Sequence, residues 1–273
     1  MSTITLTFGD VCENHVGMQQ IGTLASSGFT TEMFENICQQ FPQNAELIRL
    51  NHSSTKAAPD APDASILVIR NGVELLTSET NFLQSLYQEQ TKLDPDQRAR
   101  MRGRVVNKIA RYNLCFSTVG QSADYEQGKG TIVAWDQVPY TQTLRNRLTE
   151  TFKTLPLECE GNYYYDTTSP KVGIGFHGDS ERRLVIGVRM GTSMPLMYWW
   201  FKNFEPVGEP TTILLNHGDI YAMSEKAVGF DWKRSSILTL RHSAGSYSYL
   251  ENEMKRICKK GGSTPPLQTP FLK

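Results

Sequence analysis

The 273-residue chain balances 28 Lys and Arg against 28 Asp and Glu. It therefore has no global positive field to hold a polyanion, and it is long enough to bury a sizeable core in one large domain. Hydrophobic residues make up 39% of it with no apolar run long enough to span a membrane, and Met1 to Asp10 lacks the basic start and apolar centre of a secretory signal. A soluble, intracellular protein is the expectation.

Cys12, Cys38, Cys115, Cys159 and Cys258 stand far apart, odd in number and without a CxxC pair. That spacing argues against a disulfide framework or a thiolate zinc site, and free buried thiols are expected.

Along the chain, Thr30 or Thr31 caps a helix whose stripe is Met33, Phe34, Ile37, Cys38 and Phe41, and Pro42 ends it. The small, polar segment from Asn51 to Asp63 reads as a loop or boundary. The runs ILVIR and VELL (Ile66 to Leu76) flank Asn71-Gly72, a pair suited to a tight hairpin. Between Asp94 and Arg111 lie Arg98, Arg100, Arg102, Arg104, Lys108 and Arg111. That run reads as a solvated face, or as a basic strip that guides a phosphate backbone beside a cleft. A Gly-bearing loop (Gln121 to Gly130) precedes an amphipathic helix from about Val138 to Phe152, with Leu144, Leu148 and Phe152 on one side.

From Asn162 onward the sequence becomes short apolar runs separated by Gly and Pro: KVGIGFHGD, RRLVIGVRMG, PLMYWWFKNF, TTILLN, GDIYAMS, KAVGFDW and SSILTLRHSAG. Evenly spaced strands of this kind predict a closed barrel or double-sheet jelly roll. The expected fold is α+β. Residues 1–110 form an extension of helix and hairpin packed against the core, with a lid over the substrate as its candidate role; 111–260 form the jelly-roll (double-stranded β-helix) domain, and 261–273 form a flexible tail.

His177-Gly178-Asp179 ends an apolar strand, where residues i and i+2 share a face, so one imidazole and one carboxylate reach the same ion. With a second histidine from a distant strand they make a facial triad, which leaves positions open on iron(II) for a bidentate co-substrate and dioxygen.

The ordered set NYYYDTTSPKVGIGFHGD, RRLVIGVRMG, LLNHGDIYAMS and ILTLRHSAG resembles the AlkB-like family of iron(II)- and 2-oxoglutarate-dependent oxygenases over about residues 110–245. The resemblance implies that Asn162 and Tyr164 contact 2-oxoglutarate, that Gly218-Asp219-Ile220-Tyr221 is the family's GD strand, and that Arg241, in Leu238-Thr239-Leu240-Arg241, forks onto the distal carboxylate. It also implies iron(II) and 2-oxoglutarate as cofactors and dioxygen as co-reactant. The reaction is then oxidation of a C–H bond, with a methyl group on a nucleic-acid base as first substrate. A protein side chain or small molecule is the alternative, and an inactive binding module is the rival from another class.

The family's third metal ligand, a histidine shortly after the GD strand, has no counterpart in AVGFDWKRSS. His242, His217 and Asp231 are the substitutes. His242 is favoured because RHSAG is similar to the opening of the ligand strand in prolyl-hydroxylase-like members. Arg241 and His242 face opposite sides of a regular strand, so both can serve only across a bulge. Otherwise the clamp is another basic residue, with Arg234, Lys255 and Arg256 as candidates. Tyr198, Trp199, Trp200 and Phe201 read as core, or as a platform for a flipped base, and Glu181, Arg182 and Arg183 as the pocket rim.

Overall fold

The computed structural model describes residues 1–51 and 60–261. The loop expected at 51–63 falls mostly outside these residues, as does nearly all of the expected tail at 261–273.

In chain order the elements are β1 (Thr3–Gly9), β2 (Val11–Glu13), β3 (Gln20–Gly22), α1 (Thr31–Gln40), β4 (Ala45–Arg49), β5 (Ser65–Ile69), α2 (Gly72–Thr77), α3 (Phe82–Thr91), β6 (Arg98–Met101), β7 (Arg104–Asn107), β8 (Tyr112–Ser117), β9 (Ile132–Ala134) and α4 (Pro139–Phe152). There follow β10 (Glu158–Tyr164), β11 (Gly173–His177), β12 (Val185–Gly191), β13 (Met194–Lys202), β14 (Glu205–Leu215), β15 (Ile220–Met223), α5 (Glu225–Val228), β16 (Thr239–Gly245) and α6 (Tyr247–Gly261).

Two sheets dominate this α+β fold. The larger has the order β4-β5-β15-β12-β1-β10-β8-β9 and the smaller β11-β16-β13-β14. Among the described residues no strand pairing closes them into a barrel. Period-two alternation sorts each strand between layers. In β1, Ile4, Leu6 and Phe8 enter a core with Phe34 of α1, Leu86 of α3 and Leu144 and Leu148 of α4, while Thr5 and Thr7 face a cavity on the other side. In β13, Leu196, Tyr198 and Trp200 pack between the two sheets with Ile66, Val68, Tyr221 and Met223. Met197, Trp199 and Phe201 turn outward against Leu250 and Cys258 of α6. The layers therefore run helices, large sheet, small sheet, helix, and each fully buried large side chain contributes roughly 2 kcal/mol to holding them.

Local signals explain several elements. Thr30 caps α1, its hydroxyl accepting from the Met33 N–H at 3.3 Å. Phe34 and Ile37 are buried, but Met33 is exposed. The helix α4 buries Leu144, Leu148 and Phe152, as the spacing predicts. All five cysteines are free, and all but Cys38 are buried. Among the described residues no helix is long and apolar enough to cross a membrane.

Two expectations need correction. Asn71 turns no hairpin; it is left-handed (φ 51°) and starts α2. Its N–H donates to Asp219 Oδ1 at 3.2 Å, and the Val73 N–H to the Gly218 carbonyl at 3.1 Å. Tertiary partners thus take the donors that a hairpin strand would have used. Nor do residues 1–110 form an outer layer. The strand β1 lies inside the large sheet, antiparallel to β10 (Thr3 opposite Tyr164) and to β12 (Thr3 opposite Gly191), and β5 extends the same sheet beside β15.

Candidate metal centre

His177 ends β11 and His242 sits in β16, directly opposite it in register. The extra residue that lets this happen is a bulge in β11 between Ile174 and His177. Asp179 follows two residues later, its N–H donating to the Val228 carbonyl at 3.0 Å. Only glycine fits between the two ligands, because a Cβ on Gly178 would lie 2.2 Å from the Gly229 carbonyl oxygen.

The three side chains converge. His177 Nε2 is 3.3 Å and His242 Nε2 3.7 Å from Asp179 Oδ1, the two rings stand 4.5 Å apart, and one donor atom from each lies within 4.8 Å of the others. His177 Nδ1 is 2.8 Å from the Gly175 carbonyl. A carbonyl only accepts, so Nδ1 carries the proton and Nε2 keeps its lone pair for an ion. Burial, then the neighbouring His177, push His242 down to about 4, which leaves it neutral and able to ligate. Burial raises the Asp179 carboxyl, but His242, His177 and Arg182 outweigh it and hold that group below the usual carboxylate range. Two imidazoles and one carboxylate that converge in this way can hold a divalent metal ion.

The triad opens into a cavity of about 1090 Å³ between the sheets, lined also by Thr5, Asn162, Tyr164, Arg189 and Tyr221. Arg189, on β12, is 1% exposed. Its Nη1 donates to Thr5 Oγ1 at 2.8 Å, while Nε has no hydrogen-bond partner among the described residues. No carboxylate there forms an ion pair with it. Arg182 is also buried, yet it meets Glu160 at 2.8 Å and Glu181 at 3.0 Å. A buried guanidinium without a counter-charge is costly, and its donors suit a carboxylate ligand.

No known family model matches the chain. It is 46% identical over 254 residues to the uncharacterized protein R156 of Acanthamoeba polyphaga mimivirus, an alignment that covers 91% of this chain and 98% of that one. The chain belongs to the R156 family.

In this R156-family member the residues singled out from sequence separate into two groups. His177, Asp179 and His242 meet, and Asn162 and Tyr164 line the same cavity. The Asn162 side-chain oxygen accepts from Asn113 at 2.8 Å and from Arg111. His217 lies elsewhere, accepting from the Gly191 N–H at 3.0 Å and packing edge-on against Tyr87. Asp231 is paired with Lys226 at 2.7 Å. Asp219 is a structural pin that accepts from Arg70 at 2.7 Å and from the Asn216 N–H at 2.9 Å.

Arg241 is not the cavity's clamp. The strand β16 is regular here, with Arg241 opposite Trp199 and His242 opposite Tyr198, so the arginine points away and stacks over Phe201 at 4.2 Å and Trp232 at 5.2 Å. Arg234, Lys255 and Arg256 do not line the cavity either. Glu181 and Arg182 do, whereas Arg183 turns to Glu225.

Sequence reasoning missed Arg189, Thr5, Glu13 and Glu160. For Arg189 a signal existed: in VIGVRMG, Ile186, Val188 and Met190 share the core face, which places the arginine on the opposite, inward face. Glu160 also had one, since it stands two residues before Asn162 on the same face of β10. Thr5 had none, because β1 is remote in sequence from the strands β10 and β12 that it joins, and nothing local places Glu13 in the cavity wall.

Proposed function

We propose that this protein is an iron(II)- and 2-oxoglutarate-dependent dioxygenase, similar to the AlkB-like family, that oxidises a C–H bond. The observation that carries the reading is the meeting, in one cavity, of the His177, Asp179 and His242 donors with the buried guanidinium of Arg189, whose Nε has no hydrogen-bond partner among the described residues. The triad would hold the ion, and Arg189, fixed by Thr5 and flanked by Tyr164 and Tyr221, would take the far carboxylate of 2-oxoglutarate. The strand arrangement supports a jelly roll: β15-β12-β1-β10 faces β11-β16-β13-β14, two antiparallel sets of four. In it β1 lies between β12 and β10.

When bound, iron(II) supplies dioxygen activation coupled to oxidative decarboxylation of 2-oxoglutarate to succinate. The chain's own residues position the reactants. His177, the most exposed donor at 24%, faces the open side where substrate enters. Arg189 and Thr5 orient the co-substrate in space walled off by Leu196, Met223 and Ala244. The first substrate is a methyl group on a nucleic-acid base. Hydroxylation of a protein side chain or small molecule is the second reading, favoured by the zero net charge. The rival of an inactive binding module rested on a missing third donor, and His242 offers that donor.

Anaerobic titration of iron(II) with 2-oxoglutarate is the test. A weak visible charge-transfer band that disappears in His177→Ala is expected. No band in the wild-type protein at saturating iron and co-substrate would sink the assignment.

A further inference from the structure

The cavity that holds the triad also has an acidic wall. Strands β2 and β3 pair Glu13 opposite Gln20, and Glu13 joins Glu160 of β10 and Glu181 in lining the cavity. Glu13 is 6% exposed. Its hydrogen bond among the described residues is made by Oε2, which accepts from the Gln20 amide at 3.2 Å, and no cation there forms an ion pair with it. Oε1 is therefore open to a ligand. A buried carboxylate without a counter-charge is costly, and its lone pairs suit a cation.

The basic groups around the cavity are committed elsewhere. Arg182 is shared by Glu160 at 2.8 Å and Glu181 at 3.0 Å, so one guanidinium serves a wall of three carboxylates. Arg111 donates to Asn162, and the exposed Lys233 donates to Ser180 at 3.1 Å. Lys108 donates to the side chains of Asn14 at 2.7 Å and Asn113 at 3.0 Å. Burial lowers His15 from its ordinary value, which leaves it neutral at pH 7.

The apolar part of this wall is aliphatic. Between Val11 and Leu24 the cavity is lined by Val11, Val16, Met18 and Leu24, and by no Phe, Tyr or Trp. Val16 and Leu24 are 79% and 46% exposed, whereas Val11, Met18 and Glu13 are buried. The wall thus runs from aliphatic side chains in contact with solvent to a carboxylate inside. A chain of methylenes packs along such a surface and carries its charged end inward, while a planar base finds no ring there to stack on.

We propose that this wall anchors the substrate and that the group it holds is a primary alkylammonium, as on a peptide lysine or a free diamine. Glu13 Oε1 accepts from the ammonium in a charge-assisted hydrogen bond, and the fields of Glu160 and Glu181 add to the attraction. The same field turns a phosphodiester backbone away. Binding of the ammonium stands apart from the iron chemistry. Oxidation of the bound compound rests on the proposed function, and the anchor selects its second substrate reading, a protein side chain or small molecule, over the nucleic-acid base.

The test is calorimetric titration of the full chain, metal-free and loaded with manganese(II) and the N-oxalyl analogue of 2-oxoglutarate. The probes are Nα-acetyl-lysine N-methylamide, its uncharged norleucine counterpart, cadaverine and 1-methyladenosine. Both ammonium probes bind, in the loaded protein as in the metal-free one, and the norleucine counterpart binds about tenfold more weakly or worse. Glu13→Gln keeps the shape of the side chain, loses about tenfold in affinity for the ammonium probes and loses none for the norleucine counterpart. A Tm of this variant at or above that of wild type shows that the fold is kept. The tighter of the lysine probe and cadaverine tells a peptide from a free diamine, and either order supports the anchor. The proposal is overturned if neither ammonium probe binds, if the norleucine counterpart binds equally, or if Glu13→Gln binds the ammonium probes as wild type does. It is also overturned if 1-methyladenosine binds more tightly than the lysine probe, which would make a planar cationic base the occupant. Each failure leaves the iron titration intact, and a failed iron titration leaves the metal-free binding result standing.

Discussion

His242 and Arg241, neighbours in β16, serve opposite sides of the small sheet. The imidazole Nε2 lies 3.7 Å from Asp179 Oδ1, while the guanidinium stacks over Phe201 at 4.2 Å on the outer face. Substituting the two therefore separates metal binding from packing. His242→Ala is expected to weaken iron(II) or manganese(II) affinity by about a hundredfold, at the level of losing one of three ligands. Arg241→Met keeps metal affinity and costs about 1 kcal/mol of stability through the lost cation–π contacts. Calorimetric metal titration and urea melts of both variants read the difference. Equal metal loss in both would mean that the strand does not alternate as described.

That alternation also marks how far sequence carries. The HxD pair, the inward side of Tyr164 and the amphipathic helices α1 and α4 are legible because period and local spacing determine them. Which of three residues completes the triad is not, because it depends on the register of β11 against β16 and on a bulge between Ile174 and His177. The proposed co-substrate side is harder still. Thr5 meets Arg189 across 184 positions of chain, and no local pattern announces that an N-terminal strand lies in the middle of the large sheet. Asn71 misleads for a related reason, since partners on and before β15 decide whether its left-handed backbone opens a hairpin or a helix.

Arg189 gives a second separation. Arg189→Met removes a buried cation of the cavity that forms no ion pair among the described residues, and it keeps most of the side chain's length. Binding of 2-oxoglutarate or its N-oxalyl analogue to the metal-loaded protein is expected to fall by about a hundredfold, while metal affinity stays the same. Stability of the ligand-free protein is not expected to fall, because an uncompensated buried charge has been deleted. Thermal melting with and without the analogue checks both arms. A ligand-induced rise in Tm as large in the variant as in wild type would remove Arg189 from the co-substrate site.

Gly178 sets the spacing of the two ligands it separates. A Cβ there would stand 2.2 Å from the Gly229 carbonyl oxygen, which belongs to rigid backbone, so Gly178→Ala has to displace Asp179 or the α5 turn. Metal affinity is expected to drop about tenfold, with a stability loss of about 1–3 kcal/mol. Manganese(II) electron paramagnetic resonance is the readout. Unchanged affinity would show that the strand end yields without moving the carboxylate.

Glu13 carries a pH signature outside the triad. It lies in the cavity wall beside Gln20, whose amide donates to it at 3.2 Å. Burial first, and then Glu181, raise its carboxyl from 4.5 to about 7. Between those two values the folded chain keeps a proton that the unfolded chain has released, so Glu13 contributes its stability below the lower value and loses it as pH rises through the upper one. The expected slope is a decrease of at most about 1.4 kcal/mol per pH unit. Glu13→Gln preserves the shape and removes the titration. The difference in urea-unfolding free energy between variant and wild type should therefore widen in the variant's favour as pH climbs from about 5 to about 7, then level off. A flat difference across that window would mean that Glu13 titrates as an ordinary solvated carboxylate, with Glu181 too distant to raise it.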